Sequence, residues 1–100
     1  MSELHILYVG LTTKHGAKLT DEQFTKALER GADECRIAGY TVYPTQGRYN
    51  GVREESRAVY LYDIAPGQVV ALATSLRLDL EQEAIGCEYR GTQFTLLTEK

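Results

Sequence analysis

The sequence predicts one α+β domain in which two helices pack on one face of an antiparallel sheet. Two segments carry apolar side chains at helical spacing, and the segments around them alternate apolar and polar side chains as strands do. At 100 residues the chain can bury one hydrophobic core. Two helices can cover only one face of such a sheet, so the other face, which carries aromatic residues, is expected to pack against another subunit.

The first strand and the first helix have clear sequence signals. Residues 4–11 are apolar on both faces, which is typical of a central strand. Thr20 followed by Gln23 matches a capping box, so we expect the helix to begin there. Its apolar stripe runs along one side, and Gly39 is well placed to end it.

The middle of the chain predicts two further strands. Residues 40–43 alternate, and we expect this strand to stop at Pro44. Residues 46–51 contain two glycines and predict a turn. Residues 56–64 alternate again and predict the third strand. Pro66 fits the first turn of the second helix.

The second helix is expected to end between Leu80 and Glu83. Residues 84–89 and 92–98 then form a closing hairpin around the turn Arg90-Gly91, with the last strand at an edge of the sheet. This order is β-α-β-β-α-β, the ferredoxin-like arrangement, with a closing C-terminal hairpin. Short connections and right-handed crossovers leave few alternative topologies.

Composition excludes several classes of partner. The net charge of −3 argues against a surface that tracks nucleic-acid phosphates, which requires clustered Lys and Arg. The apolar stretch at residues 4–11 is too short for a signal peptide or a membrane span, so we expect a cytoplasmic protein with no membrane partner. Cys35 and Cys87 are isolated and fit reduced thiols. Seven tyrosines and no tryptophan suit a ligand pocket or a subunit interface.

No familiar catalytic or cofactor motif is present. His5 and His15 share no short spacing with cysteines or with a carboxylate pair, so we expect no metal. Gly47 and Gly51 do not form a phosphate-binding loop, because neither lies in a glycine-rich turn between a strand and a helix. We therefore expect no cofactor.

Two polar segments remain, one before the third strand at residues 49–56 and one after the second helix at residues 80–85. Both lie at element ends, which this topology can bring together within one subunit or across an interface. The simplest interpretation of their glutamates is that they are solvated surface charges. Gln82 is harder to dismiss, since a buried amide offers both a donor and an acceptor.

The same segments resemble those of the phage-type S-adenosylmethionine lyases, small antiparallel-sheet proteins that assemble as trimers. The shared elements are the strand Leu7-Tyr8-Val9, the segment Tyr49-x-Gly51-x-x-Glu54-x-Ser56, and the helix that runs through Ala71, Leu72 and Ala73 into Glu81-Gln82. The resemblance implies S-adenosylmethionine as substrate and a homotrimer. For a phage-encoded chain it implies action in the host cytoplasm.

The resemblance also implies roles for individual residues. Glu54 corresponds to the family's essential glutamate, and Gln82 to its ligand-contacting glutamine. Glu55 is the alternative if the alignment is shifted by one residue. Tyr49 is then a pocket aromatic, and Ser56 of the same segment is a further substrate-binding position.

Two other functions stay open from the sequence. A small oligomeric module that binds a nucleotide-like ligand or a protein without converting it would use the same pocket. A purely structural oligomer would place Tyr60 and Tyr62 in its interface and leave the glutamates in solvent.

Overall fold

The computed structural model describes residues 4–89 and 93–98, which form a five-stranded antiparallel sheet with two helices on one face. The elements are β1 (Leu4–Gly10), α1 (Asp21–Glu34), β2 (Thr41–Tyr49), β3 (Val52–Tyr62), α2 (Pro66–Asp79), β4 (Ala84–Tyr89) and β5 (Gln93–Thr98). The strand order is β2-β3-β1-β4-β5, and each neighbouring pair is antiparallel. The expected α+β class and ferredoxin-like arrangement are confirmed, as is the edge position of the last strand.

The hydrophobic core lies between the helices and one face of the sheet. Leu7, Val59 and Ile85 point from β1, β3 and β4 toward the helices and are fully buried. Leu28 of α1 and Leu72 of α2 meet them from the other side. Since β1 pairs with β3 and β4, its central position, predicted from the apolar residues on both of its faces, is confirmed.

The start of α1 follows the sequence and its end does not. The Thr20 side chain accepts from the Gln23 N–H at 3.1 Å, and the Gln23 side chain accepts from the Thr20 N–H at 2.8 Å, which completes the capping box. The helix ends at Glu34, so the expectation that Gly39 ends it is wrong. Arg36 takes the left-handed conformation instead, with φ 58°.

Tertiary packing explains this early end. The N–H of Ile37 donates to the Ala32 carbonyl at 2.8 Å, which closes the last turn of α1. Ile37 is thereby buried in the core. Burial of an apolar side chain therefore fixes the helix end, although glycine would occupy the left-handed position of Arg36 with less strain.

The second strand also departs from expectation. It runs through Pro44 to Tyr49, so the expected stop at Pro44 and the broad turn over residues 46–51 are both wrong. Because β2 is an edge strand, a proline without an N–H is tolerated there. The turn is only Asn50-Gly51, with φ 51° and 79°, as a tight two-residue hairpin requires.

The third strand and the second helix also differ from their predicted bounds. The third strand begins at Val52, four residues earlier than expected, because the hairpin turn is so short. The second helix begins at Pro66, as expected, and ends at Asp79, one residue before the expected range of Leu80 to Glu83. The predicted turn Arg90-Gly91 lies outside the described residues. Within the described ranges, no helix is long and apolar enough to span a membrane.

The face of the sheet opposite the helices carries aromatic and small side chains. Tyr43, Tyr62 and Leu96 are each about half exposed on this face, at 50%, 53% and 46%. The Tyr43 and Tyr60 rings meet edge to face with centroids 5.0 Å apart. We call this surface the helix-free face.

The left-handed Arg36 generates a stability prediction. Arg36→Gly is expected to raise the free energy of unfolding by about 0.5–1 kcal/mol, because glycine adopts positive φ without the penalty of a Cβ. Chemical denaturation measures this change. Ala38→Gly, at an exposed neighbour without positive φ, is the control and is expected to be neutral or destabilising. A destabilised Arg36→Gly would contradict the assignment of strain.

Candidate functional site

A pocket of about 460 Å³ opens on the helix-free face of the sheet. Its floor is formed by β1, β3 and β4, and its walls by the loop after β1, the β2–β3 hairpin and the α2–β4 junction. Tyr8, Gly10, Glu54, Ser56 and Gln82 all line it. The topology thus brings the two polar segments singled out in the sequence to one site within a single subunit.

Glu54 is held against the backbone of β1. The pairing of Gly10 with Ser56 places Glu54 beside Gly10 on the helix-free face. A Cβ built on Gly10 would lie only 2.7 Å from the Glu54 carboxyl carbon, so glycine is what permits this approach. The carboxyl is half-buried, and burial raises its pKa above the ordinary value. Such a carboxylate is well suited to receive a cationic ligand group.

Ser56 is fixed by the neighbouring strand. Its hydroxyl lies 2.8 Å from the Thr45 hydroxyl of β2, and the residue is only 7% exposed. Both residues line the pocket. The hydroxyl pair therefore provides a rigid polar patch beside Glu54, in which one hydroxyl donates to the other.

Gln82 joins two walls of the pocket. Its Nε2 donates to the Thr12 carbonyl at 3.0 Å and to the Leu80 carbonyl at 3.2 Å, and the residue is 4% exposed. A main-chain bond of 2.7 Å from Lys14 N–H to the Glu81 carbonyl supports the same junction. Because the amide nitrogen is occupied by main-chain carbonyls, the group that Gln82 can present to a ligand is its carbonyl oxygen.

Glu55 and Tyr49 lie differently from the other sequence-predicted residues. Glu55 alternates with Glu54 along β3, so its carboxylate faces the other side of the sheet and does not line this pocket. Its Oε2 lies 3.7 Å from Arg57 Nη1, in a second groove that Glu54 also lines. Tyr49 ends β2 opposite Val52, and its side chain is not among those that the structure describes.

Tyr8 is a pocket residue that sequence reasoning did not single out. Its hydroxyl donates to Glu88 Oε1 at 2.9 Å. Burial first, and then this hydrogen bond to a carboxylate, raise the pKa of Tyr8 to about 12. The alternation within β1, which places Tyr8 and Gly10 on the same face, was the signal that could have identified it.

The charges around the pocket are mixed. Lys14, Arg48 and Arg53 bring positive charge to its rim, and Glu54 and Glu83 bring negative charge. Arg53 donates from Nη2 to Gln46 Oε1 at 3.1 Å, which holds its guanidinium near the hairpin. A ligand that carries both a carboxylate and a cation therefore finds complementary groups here.

Two solved structures are similar to this chain. A phage S-adenosylmethionine lyase in its apo state matches with a TM-score of 0.79 and 23% sequence identity, over 98% of this chain and 90% of that one. CutA from Synechococcus elongatus matches with a TM-score of 0.59 and 15% identity, over 94% of this chain and 79% of that one. At these identities the likeness shows a shared fold. The expected resemblance to the phage lyase is confirmed at that level.

Sequence comparison adds no closer relation. No protein-family model matches the chain, and no curated protein matches it.

The raised pKa of Glu54 predicts how stability depends on pH. Because the folded state holds this proton more tightly than the unfolded state does, stability falls as pH rises from the unfolded pKa through the folded pKa. Glu54→Gln removes this pH-dependent loss of stability. The free energy of unfolding of the variant is therefore expected to exceed that of wild type by more at pH 7 than at pH 4.

Denaturant unfolding at the two pH values measures the gain. Glu29→Gln, which removes one carboxylate from an exposed position of α1, is the matched control for net charge. An equal gain for both variants at each pH would show that Glu54 carries no burial penalty.

Proposed function

We propose that this protein is an S-adenosylmethionine lyase that forms 5′-methylthioadenosine and homoserine lactone. The observation that carries the proposal is the half-buried Glu54 carboxylate, held over Gly10 in a pocket on the helix-free face. The shared fold with a phage S-adenosylmethionine lyase supports it. The pocket volume lies in the range of small-molecule sites.

The reaction needs no protein nucleophile, metal or water. The carboxylate oxygen of the substrate bonds to its own γ-carbon, and the bond from that carbon to sulfur breaks. The electron pair of this bond stays on sulfur and neutralises the sulfonium. The lactone retains the α-ammonium, so no proton is gained or lost. Holding the two reacting atoms in line can lower the barrier by roughly 7–11 kcal/mol.

Glu54 is assigned to the α-ammonium of the substrate. An ion pair there leaves the substrate carboxylate free to turn toward the γ-carbon. The bound cation also favours the charged form of Glu54, which burial alone disfavours. Glu54 thus acts by positioning the reacting ends of the ligand.

Gln82 and Ser56 are assigned the role of fixing the conformation of the bound ligand. Gln82 fixes the loop after β1 against the α2–β4 junction and turns its carbonyl oxygen to a polar edge of the substrate. Ser56, braced by Thr45, offers a second polar contact beside Glu54. Tyr49, at the end of β2, is assigned to the adenosine part, and no cofactor is involved.

We assign a homo-oligomer, with the trimer as the expected form. The half-exposed Tyr43 and Tyr62 on the helix-free face support a subunit contact, because tyrosine is enriched in interfaces. In such an assembly a second subunit covers part of the same face as the pocket.

Incubation of the purified protein with S-adenosylmethionine tests the activity. Chromatography with mass spectrometry follows 5′-methylthioadenosine and homoserine lactone. Glu54→Gln is expected to lower kcat/KM at least about tenfold, the effect of losing a hydrogen bond to a charged group. Glu55→Gln is the comparison at the adjacent residue, and it is expected to retain turnover because Glu55 faces away from the pocket.

Other outcomes identify the alternatives. Intact substrate that binds in a Glu54-dependent manner would indicate a binding module. Intact substrate without binding would overturn the proposal. Loss of turnover in Glu55→Gln alone would show that the neighbouring carboxylate is the essential one.

Gly10→Ala tests the placement of Glu54 without removing its charge. The new methyl group collides with the end of the flexible Glu54 side chain, so the fold is expected to survive while the carboxylate is displaced. A displacement of about 1 Å can lower turnover on the order of 10²-fold. Gly39→Ala, where a Cβ meets no atom within 4 Å, is the control. Full activity of folded Gly10→Ala would contradict the assigned role of Glu54.

A further inference from the structure

Tyr8 is flanked by small residues on the helix-free face of the sheet. Its direct cross-strand neighbours are Ala58 on β3 and Gly86 on β4, and Gly10 follows it on the same face. These three small residues leave space around the ring, and three of the four positions, Tyr8, Gly10 and Gly86, line the pocket. A ligand can therefore approach the ring itself.

Glu88 orients the Tyr8 ring and adds to its electron density. The hydroxyl of Tyr8 donates to Glu88 Oε1 at 2.9 Å, and Glu88 does not line the pocket. A phenol that donates to a carboxylate acquires partial negative charge, and the face of an aromatic ring attracts cations. Glu88 acts through Tyr8 and is therefore a positioning residue.

We infer that Tyr8, oriented by Glu88, selects the positively charged sulfonium of the ligand over the neutral thioether. This inference rests on the proposed function and concerns the same pocket. The substrate has two cationic centres, and Glu54 is assigned to only one of them, the α-ammonium. The ring of Tyr8 lies on the strand that carries Gly10, two residues away and on the same face, where the second centre can be received.

The inference has a kinetic consequence. The sulfonium loses its charge as the bond from carbon to sulfur breaks, so its attraction to the ring weakens toward the transition state. An interaction stronger in the ground state improves binding without raising kcat. Tyr8 thus favours capture of the charged substrate and release of the neutral product.

The test compares S-adenosylmethionine with S-adenosylhomocysteine, which lacks the methyl group and the positive charge. In wild type and in Tyr8→Leu, we measure KM and kcat for the former and the inhibition constant of the latter. The preference for the charged ligand is expected to fall between about two- and thirty-fold in Tyr8→Leu, with kcat not reduced. Glu88→Gln, which keeps an acceptor and removes the charge, is expected to lower the preference less.

Folding and function are controlled separately. Tyr8→Phe keeps the ring and is expected to retain most of the preference, and thermal denaturation checks each variant. Should Tyr8→Leu fail to fold, Glu88→Gln decides the question, since unchanged preference in that variant would overturn the inference that Tyr8 acts as a ring oriented by Glu88. If wild type converts S-adenosylmethionine but the preference does not change in folded Tyr8→Leu, this inference fails and the proposed function stands. If wild type neither binds nor converts it, both fail.

Discussion

The register between β1 and β3 decides which of two adjacent carboxylates faces the pocket. Gly10 pairs with Ser56, so Glu54 lies on the helix-free face and Glu55 on the other. A slip by one residue would exchange them. The same slip would turn Val59 away from the helices, although it is fully buried against them. Packing of the core thus fixes the orientation of the candidate site.

The pocket itself depends on side chains that are small or absent. Tyr8 is surrounded on three sides by Gly10 of β1, Ala58 of β3 and Gly86 of β4. Larger residues there would fill the depression and bring the helix-free face closer to a flat surface. The loop after β1 closes one end, held by the amide of Gln82. The sheet therefore supplies the floor, and the buried Gln82 side chain secures the wall together with the main-chain bond from Lys14 to Glu81.

The sequence predicted those structural features that depend on residues close together in the chain. The capping box at Thr20 and Gln23 involves residues three apart, and the structure contains both of its hydrogen bonds. The end of α1 at Glu34 depends on core burial, and the passage of β2 through Pro44 depends on an edge position. Neither can be predicted from a short stretch of sequence. Glu54 was predicted as a site residue from the resemblance, and Gln82 from its uncharged amide as well. The hydrogen bond of Tyr8 to Glu88 joins residues 80 positions apart, and no local pattern predicted it.

Burial of Glu54 links the stability of the empty protein to the chemistry of its ligand. Desolvation disfavours the carboxylate as long as no cation is present, which is why its pKa is raised. On the proposed function, the substrate ammonium offsets that penalty, so the pocket favours a cationic ligand over a neutral one. The proposed substrate also carries a second positive charge, on its sulfonium, and the reaction removes that charge. A site with one half-buried carboxylate and one oriented aromatic ring is then sufficient for an intramolecular displacement, because the substrate provides both reacting atoms.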